Sequence, residues 1–243
     1  MGTQRVDRYW SNRFGLEPNA LYEAGVRVVR HARPWADNFA YVFVRGSACV
    51  LSVGTPFVHA THERVSKRDP DSLLRDADLR EAFELPIHHT VGPAYQGYAE
   101  KEDFLPQTSD CIRKLRDEER KVLLSLKNAC EPIAWEHSGI DAADSGLFGC
   151  FVGGDLAAVA HYSLWADDAA SIGVLSHPAH RSRGYGKAVV SAAMADAFEQ
   201  GHLVIYQTLS ANHPSVRLAT ALGCRDYART MAVHFTEDSR LSG

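Results

Sequence analysis

No stretch of the 243 residues stays apolar for the ~18 positions that a membrane-spanning helix needs. The most apolar segment, 146–165, is interrupted by Asp155 and His161. The N-terminal MGTQRVDRYW carries charge but no apolar core, so no secretory signal is expected, and Val6 stands where a myristoylation motif needs Ser or Thr. Positive charge is not in surplus: 26 Lys and Arg face 30 Asp and Glu, for a net charge of −4. A protein that grips phosphate backbones wants a dense basic face, so neither nucleic acid nor a membrane is expected as partner. CxxC pairs are missing too. Cys49, Cys111, Cys130, Cys150 and Cys224 are odd in number and widely spaced, which argues against a zinc ribbon and a disulfide framework. They are expected to be reduced, mostly buried thiols in a cytoplasmic protein. His59 and His62, like His177 and His180, are spaced i,i+3, but neither pair extends to HExxH or has a third ligand, so no metal is expected. Repeats and low-complexity tracts are also missing.

What is present is an ordinary globular composition, 45% hydrophobic and 23% charged, in a chain that at ~150 residues per domain predicts one to two domains. Residues 5–14 read as a helix and 26–32 as a strand. Strands 39–44 and 48–53 flank Arg45-Gly46-Ser47, a hairpin signal. A helix is expected over 71–83, with Leu73, Leu74, Ala77 and Phe83 on one stripe. The segment 86–93 breaks periodicity, which divides the chain into an N-terminal α/β domain, 1–90, and a second domain, 91–243. There, a strand at 94–101 precedes a helix over 109–130 with Ile112, Leu115, Val122, Leu123 and Leu126 on one face. The mixed charges of 113–121 form its solvated side. Trp135 and Glu136 lie on a short helical piece. Strands 147–152, 156–164 and 170–176 are joined by Gly153-Gly154-Asp155 and Ala166-Asp167-Asp168, and should pair as an antiparallel meander. Helix 186–200, strand 203–209, helix 215–222 and strand 228–235 complete the chain.

The chemistry is concentrated in 171–201, where an apolar strand enters a basic, glycine-rich loop that opens onto a long helix. Gly184 and Gly186 remove side chains that would hold a ligand off the backbone. A helix start offers unpaired N–H groups and the positive end of the dipole, and Arg181, Arg183 and Lys187 add full charges. Such a loop is a pyrophosphate cradle. It is not a P-loop, because Arg181 stands where the first glycine belongs and Ala188 where Ser or Thr belongs. Nor does it contain GxGxxG.

Arg181-x-x-Gly184-x-Gly186 is similar to the [Q/R]xxGx[G/A] motif of the GNAT superfamily of N-acetyltransferases, whose loop holds the pyrophosphate of coenzyme A. The His177-Pro178 strand exit, Asn212-x-x-Ser215 and Leu222-Gly223-Cys224 resemble further segments of that family, over about 94–235. The resemblance implies an α/β fold with a mixed sheet splayed between 170–176 and 203–209, preceded by a small N-terminal domain. It implies a cytoplasmic, acetyl-CoA-dependent N-acyltransferase that transfers acetyl directly to an amine. Pantetheine would pair with Val174, Leu175 and Ser176. The loop Arg181, Ser182, Arg183, Gly184, Tyr185, Gly186 and Lys187 would hold the pyrophosphate, with Asn212 and Ser215 near the leaving sulfur. Asn212 also has a plainer reading, as a helix N-cap before Pro214. The N-terminal domain would cover the acceptor site or form a homodimer interface, and it is also a candidate degenerate copy of the same fold.

Two groups common in the family are missing, since the glutamate of the fourth core strand is Ala170 and the tyrosine of the last helix is Ala219. Glu136 is the first candidate base, against a reading as a solvated carboxylate. His161 comes next; Tyr206 and Ser210 are weaker candidates as thiolate donors, and His177 reads as a loop residue. The missing groups keep a second function open: a coenzyme-A-binding sensor or regulatory module without chemistry.

Overall fold

The Gly46 hairpin organises the first part of the chain, and the two-glycine turn at 153–154 organises the second. In a computed structural model the described residues are 3–32, 38–83, 86–141, 146–166 and 168–236. Asp167, one of the three residues of an expected turn, lies outside them. The elements begin with α1 (Gln4–Phe14), β1 (Gly25–Arg30), β2 (Phe39–Arg45), β3 (Ala48–Val53), α2 (Val58–Val65), α3 (Asp76–Ala82) and β4 (Ile87–Ala99). Next come β5 (Ile112–Lys114), α4 (Val122–Ala129), α5 (Pro132–Ser138), β6 (Phe148–Val152), β7 (Asp155–Trp165) and β8 (Ala169–Ser176). The chain closes with α6 (Tyr185–Glu199), β9 (Leu203–Leu209), α7 (His213–Ala221) and β10 (Arg225–Phe235). Contacts divide it into two units. One holds the described residues up to Gly97, Gln207–Val216 and those from Asp226 on; the other holds Tyr98–Tyr206 and Arg217–Arg225.

In the first unit the strands are ordered β1-β3-β2-β10-β4, with β1 parallel to β3 and the hairpin antiparallel. Alternation along β2 sends Val42 and Val44 to one face, against Leu51, Leu79 and Val233, and Tyr41 and Phe43 to the other. That second face is covered by α1, whose Trp10 ring lies 4.8 Å from Phe43 and whose Phe14 ring lies 5.4 Å from it. The helix expected over 71–83 is interrupted at Arg75, whose extended backbone separates a 3-10 turn, Pro70–Leu74, from α3.

The second unit carries β9-β8-β7-β6-β5, antiparallel except for the parallel β8–β9 pair, so the α/β fold with a mixed sheet is observed. The expected meander is β6, β7 and β8. Leu123 and Leu126 of α4, with Ile140 just after α5, pack against Val159 and Leu175. Helix α6, rich in alanine, packs closely on β6, β7 and β8.

Two expectations fail here. Residues 109–130 are not one helix: β5 and a 3-10 turn at Asp117–Glu119 precede α4. Arg113 and Arg116 converge on the Glu119 carboxylate, which also accepts the Arg116 backbone N–H, and these bonds hold the carboxyl well below its usual range. The mixed charges therefore fasten a turn. The five cysteines are also not all reduced, because β5 brings Cys111 beside β6 and a disulfide joins it to Cys150. Cys49, Cys130 and Cys224 are free and buried.

Candidate active site

Along its full length β8 pairs with β7, but among the described residues its ladder with β9 covers only Ala169–Ser171 against Leu203–Ile205. Val174, Leu175 and Ser176 lie beyond that ladder, where the main chain on the β9 side can accept an extended ligand. The strand ends where the His177 N–H donates to the Ala157 carbonyl, and Pro178–His180 form a 3-10 turn.

The loop then assembles itself through two backbone conformations. Ser182 has φ +62° and Gly184 φ +85°, a value costly for any residue with a Cβ, and Gly184 is the N-cap of α6. The first helical bond runs from the Ala188 N–H to the Gly184 carbonyl, so the N–H groups of Tyr185, Gly186 and Lys187 precede the helix's own ladder. Gly186 serves a different purpose. A Cβ there would meet Ser176 Oγ at 2.9 Å, so glycine lets this turn settle onto the end of β8 without displacing the Ser176 hydroxyl. Arg181, Ser182, Arg183 and Gly184 are exposed, and Tyr185, Gly186 and Lys187 are half-buried. Exposed amides, a helix start and three cations at the mouth of a strand can bind an anionic diphosphate. Arg181 acts locally as well, partly offsetting the burial that pushes the Cys130 thiol up. That thiol donates to the Ser176 carbonyl at 3.7 Å.

On the opposite side of β8 lies α5. It presents Trp135, with the Lys127 ammonium 5.0 Å from its ring, and the exposed Glu136. Tyr162 points to α6 and donates to Asp196 at 2.8 Å; burial and that bond push its hydroxyl up to about 12. His161, next along the strand, therefore faces the other way and is 2% exposed. Gly173 is its register partner on β8. Sequence reasoning did not find that relation, although a glycine inside an apolar strand is its signal.

Asn212 and Ser215 belong to the first unit. Asn212 Oδ1 accepts the Ser215 N–H at 3.3 Å, the geometry of a helix cap. Tyr206 is buried in the second unit, whereas Ser210 lies in the first with its hydroxyl enclosed. Ala170 and Ala219 are both fully buried. Among the described residues there is no group of three or more His, Cys, Asp or Glu side chains placed to hold a metal ion. No described helix is long and apolar enough to cross a membrane.

Residues 112–224 match the family model described as the acetyltransferase (GNAT) family. A GNAT-family protein from Novosphingobium aromaticivorans superposes with a TM-score of 0.50 at 20% identity, covering 62% of this chain and 67% of that one. A GNAT-family acetyltransferase from Colwellia psychrerythraea gives a TM-score of 0.50 at 18% identity, covering 62% of this chain and 59% of that one. At those identities the likeness is one of fold. No curated protein matches the sequence.

Proposed function

We propose, from the match of residues 112–224 to the acetyltransferase (GNAT) family model, that this chain is an acyl-CoA-dependent N-acyltransferase moving acetyl from acetyl-CoA directly to an amine. The observation that carries the reading is the Arg181–Lys187 loop set at the start of α6, against the end of β8. The residues fit the group: the space beside Gly184 is open, and Gly186 lets the start of α6 lie close against Ser176. Arg181, Arg183, Lys187 and the first amides of α6 hold the diphosphate. Val174, Leu175 and Ser176 pair with the pantetheine arm. Bound acetyl-CoA supplies an activated acyl carbon: the amine nitrogen bonds to it, the carbon–sulfur bond breaks and a thiolate leaves. A β8 backbone N–H polarises the carbonyl oxygen. Glu136 takes the amine's proton, which for a free alkylammonium costs on the order of 4–5 kcal/mol at pH 7. Asn212 or Ser215 donates toward the sulfur.

The division into 1–90 and 91–243, with the first part serving as acceptor cover or homodimer contact, belongs to the same proposal. So does a cytoplasmic location, against which the Cys111–Cys150 disulfide weighs.

A second reading has its own observation. The buried Ala170 and Ala219 supply neither a carboxylate nor a phenol, which suits a coenzyme-A sensor without turnover. Thiol release from acetyl-CoA against a broad amine panel separates the two. Release that depends on the amine supports the transferase, and binding without release supports the sensor.

A further inference from the structure

The side chain of His161 is buried on β7 opposite Gly173 of β8, and the proposed chemistry leaves it unused. A Cβ built on Gly173 would lie 2.5 Å from His161 Nε2, 2.7 Å from its Cδ2 and 2.2 Å from the Ser138 carbonyl oxygen. The imidazole and the end of α5 thus share the gap that glycine leaves in β8. On the α5 side Gly139, with φ +64°, turns the chain away so that its own Cβ position stands 4.0 Å from Nε2. The ring therefore lies beside Gly173, its register partner on β8, and close to the turn at Gly139 that ends the helix bearing Glu136.

Direction matters here. The diphosphate loop follows the C-terminal end of β8, so an arm paired with Ser176, Leu175 and Val174 runs back along the strand toward Gly173. Its acyl end then lies at the stretch of main chain that the imidazole backs. Resting on the acyltransferase reading, we propose that His161 is a positioning residue: it sets the β8 main chain at Gly173–Val174, where the acyl oxygen is polarised, and fixes the end of α5 relative to it. His161 acts through backbone and does not touch substrate, since β8 and α5 enclose it. Leucine fills similar volume without a ring nitrogen, and glutamine keeps a polar terminus at comparable reach.

The experiment compares wild type with His161→Leu and His161→Gln for kcat, KM for acetyl-CoA, the CoA-induced rise in Tm, and amide exchange at residues 173–176. His161→Leu should lower kcat by about 10–100-fold, the penalty of a sub-ångström to 1 Å misplacement, with KM for acetyl-CoA within about threefold of wild type. Exchange at 173–176 should quicken without quickening in α6, and His161→Gln should recover most of the lost rate. Wild-type kcat and exchange in His161→Leu would overturn the proposal. So would rate losses that merely follow Tm and are equal in the two variants, which is the signature of a space filler. Failure of the wider reading looks different, because wild type would then release no thiol. Unchanged exchange at 173–176 in both variants would still refute the positioning.

Discussion

The Tyr227 hydroxyl donates to Asp7 Oδ1 at 2.6 Å, tying β10 to α1 across 220 residues of sequence. Tyr22 donates to the same carboxylate at 2.8 Å, and the Arg45 guanidinium lies between the two rings, 3.9 Å from one and 4.6 Å from the other. Asp7 is 8% exposed, so each lost donor leaves buried charge poorly satisfied. Burial and the bond to Asp7 push the Tyr227 phenol far above its ordinary value. Tyr227→Phe should lower unfolding stability by about 1–3 kcal/mol, read as a lower urea midpoint at unchanged slope. A midpoint equal to wild type would show that the pair is satisfied by solvent.

Acetyl-CoA or CoA should raise the melting temperature, because a ligand that binds only the native state stabilises it, by about 2.7 kcal/mol at a hundredfold excess over Kd. Gly186→Asp sets bulk against Ser176 Oγ and negative charge at the helix start. It should remove the shift, and Arg181→Glu should reduce it strongly. Full shifts in both folded variants would place the coenzyme elsewhere.

Glu136→Gln should reduce kcat/KM by the ~10²–10⁴-fold that a general base contributes, and leave the CoA-induced shift intact. The acidic limb of the pH–rate profile should flatten with it. Activity near wild type would return Glu136 to the role its exposure also permits, a solvated carboxylate on α5.

His234 stacks on His89 at 4.2 Å, with Phe39 at 5.1 Å on β2 and His88 beside His89. Burial first, then His89 and His88, hold its imidazole below the ordinary value. As pH falls the unfolded chain therefore takes the proton before the folded one does, and stability is lost. Urea midpoints should drop between about pH 7.5 and about pH 5.5, and His234→Asn should flatten that slope. An identical slope in the variant would place the sensitivity in other groups.

The meander β6–β8 and the loop before α6 were legible because their signals are local: alternation, two glycines at a turn, and cations beside a helix start. Segment 109–130 was not. Apolar residues at helical spacing suggested one helix, but Ile112 is held by strand pairing to Cys150, a tertiary effect, and Glu119 is fastened in a turn by Arg113 and Arg116. The Cys111–Cys150 bond was hidden as the β5–β6 pairing was, its partners being 39 residues apart. His161 was visible as a candidate, but its relation to Gly173 needed the β7–β8 register.

Strand β5 is three residues long, carries Arg113 and Lys114, and is cross-linked beside its start to β6. An unpaired strand edge invites a foreign strand to add to it, and shortness and positive charge both discourage that addition. The cross-link adds a permanent version of the same protection, because the terminal strand cannot peel away to expose the longer, more apolar β6. The mixed-charge run that resembled a helix face thus caps the end of its unit's sheet against self-association, and loss of either cysteine should first appear as concentration-dependent aggregation.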